Sequence, residues 1–88
     1  MRITFKLFAT LSEHLPQELD GHRRIGNQIA VETYDGTALQ ALIDRFGVPP
    51  SRVHLVLVNG SYVPPERRAE HVLREGDAVA VWPPIAGG

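Results

Sequence analysis

The stretch DGTALQALIDRFGVPP, residues 35–50, decides the fold prediction because it contains the features of one complete short helix. Thr37 is a favourable N-cap residue, and Gln40 follows it at the spacing of a capping box. Gly47 can adopt the left-handed conformation that ends many helices. Between these signals, apolar side chains recur at helical intervals and indicate one buried face. We therefore predict an amphipathic helix over residues 38–46 that packs on a sheet.

Two strand patterns precede this helix. Residues 2–8 alternate between apolar and polar side chains, which is typical of a half-buried strand. Residues 27–33 contain a second strand pattern, and we expect the two strands to pair as a hairpin. Residues 9–15 fit one short helical turn. Residues 16–26 combine a proline, two glycines and several charges, and they are expected to form a loop.

Further strand patterns follow the helix. Residues 54–58 are a nearly continuous apolar run, as expected of a strand that is covered on both faces. Asn59-Gly60 is a strong hairpin signal and predicts that residues 61–63 return beside this strand. After an irregular polar segment, residues 78–82 predict the final strand. The predicted order of elements is therefore ββαββ when the short return strand at residues 61–63 is not counted, and five strands with it.

This order predicts an α+β fold with one hydrophobic core. A mixed sheet of four to five strands wrapped on one main helix is the economical way to bury the apolar faces of these elements. The hydrophobic pattern alone leaves open which small α+β fold this is. The predicted core consists of the inward apolar residues of the strands and helix, namely Ile3, Phe5, Leu7, Val31, Leu39, Leu42, Ile43, Phe46, Leu55, Leu57, Val79 and Val81.

The composition fits one small domain and excludes several kinds of functional site. A chain of 88 residues with 43% hydrophobic residues is typical of a single globular domain, and its core is too thin for an internal catalytic cleft. The chain has no cysteine, which excludes a disulfide framework, a thiolate metal site and a cysteine nucleophile. Any sulfur chemistry would therefore need a sulfur atom from another protein.

The charge distribution predicts no nucleic-acid partner and no membrane partner. The formal net charge is −1, from nine basic and ten acidic residues. The basic pairs Arg23-Arg24 and Arg67-Arg68 are interpreted as parts of solvated loops. The four histidines lack metal-ligand spacing, so we predict no metal site and no catalytic residue. We also expect neither a signal peptide nor a membrane span, and hence a cytoplasmic protein.

The C-terminal segment has a composition of its own. Residues 1–82 are predicted to form the folded domain, and residues 83–88, Pro-Pro-Ile-Ala-Gly-Gly, a flexible tail. Two prolines cannot donate hydrogen bonds to a sheet, and they stiffen the exit from the last strand. Gly87 and Gly88 have no side chains, so they can pass through a narrow channel without steric clash.

With this tail, the sequence resembles the prokaryotic ubiquitin-like sulfur-carrier family. That family includes the small subunit of molybdopterin synthase and the thiazole-forming sulfur carrier of the thiamine type. The resemblance covers nearly the whole chain and implies the β-grasp fold of ubiquitin. The ending Pro-Pro-x-x-Gly-Gly favours the molybdopterin-synthase branch. The matching segments are ITFKLFA at residues 3–9, the helix at 37–47, VNG at 58–60, LREGDAV at 73–79 and PPIAGG at 83–88.

The resemblance implies that Gly88 is a covalent carrier site. A partner enzyme would adenylate the terminal carboxylate with ATP, and a persulfide sulfur would displace AMP to leave a thiocarboxylate. This thiocarboxylate would donate sulfur in cofactor biosynthesis, with molybdopterin as the favoured product. The carrier would not itself be an enzyme, and it would bind no cofactor because ATP belongs to the partner. The tail residues that would enter a partner are Pro83, Pro84, Ile85, Ala86 and Gly87.

The resemblance also implies two kinds of partner. One is an adenylating, E1-like enzyme, and the other is a synthase subunit like the large subunit of molybdopterin synthase; no obligate homo-oligomer is expected. Phe8 and Trp82 fall on the outward phase of their strands, and Tyr62 follows the Asn59-Gly60 turn. We predict that these three aromatic residues form an exposed docking patch near the exit of the tail.

Two other functions remain open at this point. The chain could be a protein modifier that is conjugated to target lysines through Gly88. Self-linked chains would then have few acceptor amines, because Lys6 is the only lysine. The chain could also be an interaction module whose tail is never activated.

Overall fold

The computed structural model describes residues 1–84, and within that range the chain forms seven strands and one α-helix. Short 3₁₀ helices cover Ala9–His14, Pro50–Arg52 and Pro65–Arg67. The α-helix, α1, is Leu39–Arg45. The strands are β1 (Arg2–Leu7), β2 (Glu18–Leu19), β3 (His22–Arg23), β4 (Gln28–Glu32), β5 (Leu55–Val58), β6 (Ser61–Tyr62) and β7 (Ala78–Trp82).

Five of the strands form one mixed sheet in the spatial order β4-β1-β7-β5-β6. The first strand, β1, pairs antiparallel with β4 and parallel with the last strand, β7. On the other side of β7, β5 pairs antiparallel with β7 and with β6. The predicted mixed sheet on one main helix is confirmed, as are the hairpin of β1 with β4 and the β5–β6 hairpin at Asn59-Gly60.

The core lies between one face of this sheet and α1. In β1 every second residue is fully buried, and its neighbours Val79 and Val81 in β7 are also fully buried. The helix contributes Leu39, Leu42 and Ile43 from its apolar face. The predicted core omitted several buried residues of strands and loops, namely Leu11, Leu15, Ile29, Val48, Val56, Val58, Val63 and Leu73.

The prediction for the inward face of β5 was wrong. Val56 and Val58 are buried, whereas Leu55 and Leu57 are half-buried on the opposite face of the sheet. Residues 54–58 are apolar on both phases, so the run has no alternation from which to choose a face. The face is set instead by the register with β7, which aligns Val56 with the buried Val81. A shift of one residue would exchange the two faces of the strand.

Phe46 was also predicted to be fully buried, and it is half-buried at the edge of the core. Its ring packs against Phe5 with a centroid distance of 4.7 Å and an interplanar angle of 35°. The residue is the C-cap of α1, where the chain turns away into Gly47. Gly47 has φ of 71°, which is the left-handed conformation predicted from the sequence.

The predicted capping box at the start of α1 does not form. The Thr37 hydroxyl bonds to the preceding turn, and the Gln40 side chain bonds to the following turn of the helix. The first N–H groups of the helix have other partners. The Leu39 N–H donates to the His71 carbonyl at 2.8 Å, and the Gln40 N–H donates to the Arg68 carbonyl at 3.0 Å. A distant loop therefore caps the helix through its backbone, and the side-chain cap is not needed.

Residues 16–26, predicted to be a loop, contain the small β2–β3 hairpin. Its turn is Asp20-Gly21, with φ of 50° and 80°. Nε2 of His22 lies 2.7 Å from Oε2 of Glu32 and ties the hairpin to β4. The Arg24 guanidinium donates to the carbonyl of Gly26 and to that of Leu15, which precedes this segment. Strands of two residues are too short to show periodicity, so the sequence pattern did not reveal them.

Arg68 contradicts the interpretation of Arg67-Arg68 as a solvated loop. Only 4% of Arg68 is exposed, and its guanidinium donates to the carbonyls of Val63 and His54 at 3.1 and 3.3 Å. Burial lowers the pKa of Arg68 because the charged form loses hydration. The side chain therefore connects the start of β5 and the end of β6 to the loop that caps α1.

Candidate functional site

The tail leaves the sheet from an interior strand. β7 lies between β1 and β5, and it ends at Trp82, which is followed by Pro83 and Pro84. The segment predicted to enter a partner therefore starts from the centre of one end of the sheet. The remaining predicted tail residues, Ile85, Ala86, Gly87 and Gly88, lie outside the described residues.

Next to this exit, two predicted patch residues are in direct contact. The rings of Phe8 and Trp82 are stacked, with centroids 4.1 Å apart and planes 7° apart. Both side chains are half-buried, and their chain neighbours Leu7 and Val81 are fully buried on the opposite face. Alternation along the strands therefore places the stacked pair on the face of the sheet that points away from α1. We call this surface the outer face.

The third predicted patch residue also lies on the outer face, in the neighbouring row of cross-strand partners. A row here means the residues that face each other across adjacent strands. Tyr62 in β6 pairs with Leu57, and Leu57 pairs with Ala80 in β7. Tyr62 is 55% exposed. The structure therefore places it on the same face as Phe8 and Trp82, across β5 rather than in contact with them.

Leu55 and Leu57 belong to the same surface and were missed by the sequence analysis. Leu55 pairs with Trp82 and Leu57 with Ala80, so both leucines fill the space between the stacked rings and Tyr62. Their half-buried state results from the register of β5 described above. The outer face beside the tail exit is therefore a connected apolar surface made of Phe8, Leu55, Leu57, Tyr62, Ala80 and Trp82.

The end of the outer face farthest from the tail is polar. Nε of Arg2 donates to Oε2 of Glu32 at 2.8 Å, and Nε2 of His22 lies 2.7 Å from the same oxygen. The hydrogen bond from Arg2 is the main reason that the pKa of Glu32 is held below its usual value, and His22 acts in the same direction. This cluster connects β1, β4 and the β2–β3 hairpin.

The described residues offer no arrangement typical of a metal site. Within residues 1–84, no group of three or more histidine, aspartate or glutamate side chains is placed to hold a metal ion. In the same range, no helix has the length and hydropathy needed to cross a bilayer.

Comparison with known proteins identifies the family of this chain. Residues 6–88 match the model of the ThiS family. The chain belongs to that family. It is also 34% identical over 74 residues to the molybdopterin synthase sulfur carrier subunit of Drosophila yakuba, and the match covers 82% of this chain and 80% of that protein.

Solved structures confirm the β-grasp fold. SAMP1 from Haloferax volcanii superposes with a TM-score of 0.68 at 20% identity, over 100% of both chains. A putative molybdopterin converting factor subunit 1 from Pyrococcus furiosus superposes with a TM-score of 0.62 at 21% identity, over 96% of this chain and 98% of that one. At these identities the likeness shows the fold alone. The predicted membership in the ubiquitin-like sulfur-carrier family is confirmed, and with it the prediction that the chain is not itself an enzyme.

Proposed function

We propose that this chain is the sulfur carrier subunit of molybdopterin synthase and that Gly88 is its covalent carrier site. The observation that carries the proposal is the position of the tail exit. The segment that ends in Gly87-Gly88 starts beside a connected apolar surface, so a partner that covers this surface also receives the tail. The identity of 34% to a molybdopterin synthase sulfur carrier subunit supports the choice of pathway.

The proposed chemistry takes place at the terminal carboxylate. A carboxylate is a poor electrophile because its charge repels nucleophiles, and adenylation by ATP provides AMP as a leaving group with release of pyrophosphate. The outer sulfur of a cysteine persulfide on a partner then attacks the acyl carbon and displaces AMP, since this chain has no cysteine to supply it. A second thiol of the partner cleaves the acyl disulfide that forms, which leaves the thiocarboxylate on Gly88 and a disulfide on the partner. The resulting thiocarboxylate is a nucleophile that a second enzyme can direct at its substrate. The glycines leave the acyl carbon unshielded.

The outer face is the proposed docking surface for both partners. Phe8 and Trp82 would anchor the contact next to the tail, and Leu55, Leu57 and Tyr62 would extend it across the sheet. Aromatic residues in the centre of an interface commonly carry most of its binding energy. The partners are an adenylating enzyme, which brings the ATP, and the large subunit of the synthase. We propose a cytoplasmic carrier that binds no cofactor, nucleic acid or membrane, and forms no obligate homo-oligomer.

The requirement for a free carboxylate at Gly88 is tested by ATP–pyrophosphate exchange with the adenylating enzyme that the same genome encodes. A variant without Gly87-Gly88 is shorter by about 7 Å of extended chain, and a variant with a tag after Gly88 has an amide in place of the carboxylate. We expect neither variant to support exchange, and both to melt like the wild type because no core residue changes. Equal exchange by the wild type and the shortened variant would overturn the carrier function.

The intact mass of the protein purified from its native host tests the same proposal in the cell. A thiocarboxylate differs in mass from the free carboxylate, and an isopeptide-linked form differs from both. A thiocarboxylate at Gly88 is the expected result. Conjugates to lysines of other proteins, without any thiocarboxylate, would identify the chain as a protein modifier instead.

A further inference from the structure

The outer face carries few charges, and their positions are informative. Among the strand residues on this face, only Arg2, Lys6 and Glu32 are charged. Arg2 and Glu32 neutralise each other at the end that is farthest from the tail. Lys6 lies in the same row of the sheet as Leu57 and Tyr62, which places it within the apolar part of the face.

Lys6 has no partner of opposite charge in the described part of the chain. None of the ion pairs found among residues 1–84 includes Lys6. Its neighbours across the sheet are Gln28 in β4 and Ala80 in β7, and both are neutral. The β2–β3 hairpin, which packs beside this part of the face, contributes His22 and Arg23 to the adjoining groove. These groups do not compensate the charge of Lys6.

A partner that covers this surface would have to accommodate the ammonium group. An ammonium group that loses its water without gaining a hydrogen-bonded counter-charge destabilises the complex. The strongest available compensation is a carboxylate on the partner, placed opposite Lys6 and surrounded by apolar contacts. The alternative is that the flexible lysine stem extends to the rim of the interface and keeps its ammonium group in water.

We propose that Lys6 forms an ion pair with a carboxylate on the large subunit of molybdopterin synthase and helps to select this partner. The proposal rests on the proposed function, because it requires the outer face to be the docking surface. The expected contact surface of the large subunit is apolar and contains one aspartate or glutamate opposite Lys6. The apolar contacts supply affinity, and the single ion pair supplies register and selectivity.

The first test is a zero-length carbodiimide cross-link between the full-length chain and the large subunit from the same genome. The reagent joins an amine to a carboxylate only when the two are in contact. The chain offers two amines, Lys6 and the N-terminus of Met1, and peptide mapping distinguishes them. We expect an isopeptide bond between Lys6 and an aspartate or glutamate of the large subunit, absent in Lys6→Arg. Cross-linked complex without any bond at Lys6 would overturn the proposal.

The second test is the dissociation constant of the same complex for a series of variants. Lys6→Arg should bind within a few-fold of the wild type, Lys6→Ala about 10-fold more weakly, and Lys6→Glu about 100-fold more weakly. Gln28→Ala, a neutral change in the same row, is the matched control and should bind normally. Raising the salt from about 0.05 to about 0.5 M should weaken the wild type more than Lys6→Ala.

The outcomes separate this inference from the proposed function. If the wild type binds the large subunit and all Lys6 variants bind equally well, the ion pair is absent and only the inference fails. If the wild type itself does not bind the large subunit, the proposed function fails and the inference fails with it. Thermal melts of each variant verify that the fold is retained, and the cross-link between Lys6 of the wild type and the large subunit keeps the test decisive if a variant unfolds.

Discussion

Trp82 is the last strand residue before the predicted tail. It is the last residue of β7, its ring stacks on Phe8 at 4.1 Å, and the next residue is Pro83. Both stacked side chains are half-buried, so part of each remains accessible. A residue in this position can serve a partner without being part of the core between the sheet and α1.

Trp82→Ala should therefore reduce partner binding more than it reduces stability. Loss of the stacking is expected to lower the free energy of unfolding by about 0.5–1.5 kcal/mol, in addition to the effect of the lost apolar burial. The fold should persist. Binding to the large synthase subunit should weaken by about 10-fold or more, as measured by calorimetry. Tyr34→Ala, which removes an aromatic side chain that is 88% exposed elsewhere, is the control. Unfolding of Trp82→Ala would show that Trp82 is a core residue.

Glu32 should make stability depend on pH in the acid range. Its pKa in the folded protein lies below the usual 4.5, chiefly because Arg2 donates a hydrogen bond to the carboxylate. A lowered pKa means that the stabilisation is present above 4.5 and is lost as the pH falls through the folded value. Glu32→Gln should melt below the wild type at neutral pH, and the two melting temperatures should converge in acid. A constant difference across the whole range would contradict this role of the Glu32 charge.

At the scale of elements, α1 depends on its surroundings. A helix of seven residues is too short to be stable alone, so its stability comes from packing and from the groups that cap it. Leu39, Leu42 and Ile43 are buried against the sheet. The carbonyls of Arg68 and His71 accept the first N–H groups of the helix. The buried Arg68 side chain holds this loop in place through its bonds to two backbone carbonyls.

Leu42→Ala should destabilise the domain strongly because it leaves a cavity under α1. The expected loss in the free energy of unfolding is about 2–5 kcal/mol, a large share of the stability of a domain of this size. Denaturant titration measures it. Ala41→Ser changes an exposed position on the same helix and should alter stability by less than about 0.5 kcal/mol. A loss well under 1 kcal/mol for Leu42→Ala would mean that another face of the helix packs on the sheet.

At the scale of the whole molecule, the parallel pair of β1 and β7 determines where the proposed docking face lies. The first and the last strand lie side by side in the centre of the sheet. This pairing brings Phe8, which follows β1, into contact with Trp82 at the end of β7, although they are far apart in the sequence. It also places Lys6 beside Ala80, within the same surface. The proposed docking face and the tail exit therefore result from one topological feature.

The amino-acid sequence by itself determined the features that depend on local chemistry. The alternation in residues 2–8 predicted β1, the apolar periodicity after Thr37 predicted α1, and Asn59-Gly60 predicted the β5–β6 hairpin. The resemblance carried by segments such as PPIAGG indicated the family, whereas the predicted tail falls mostly outside the described residues. These signals are readable because each results from conformational preferences within a few residues.

The tertiary structure decided the features that depend on distant partners. The register of β5 with β7 decides which face Leu55 and Leu57 occupy. A run that is apolar at every position cannot indicate this register, because both faces look alike in the sequence. Capping of α1 by the loop that contains Arg68 replaced the predicted side-chain cap. Lys6 became a cation with no opposite charge beside it among residues 1–84 only when the sheet placed neutral residues next to it. Pairing across the sheet joins residues distant in the sequence, so local patterns could not reveal these three features.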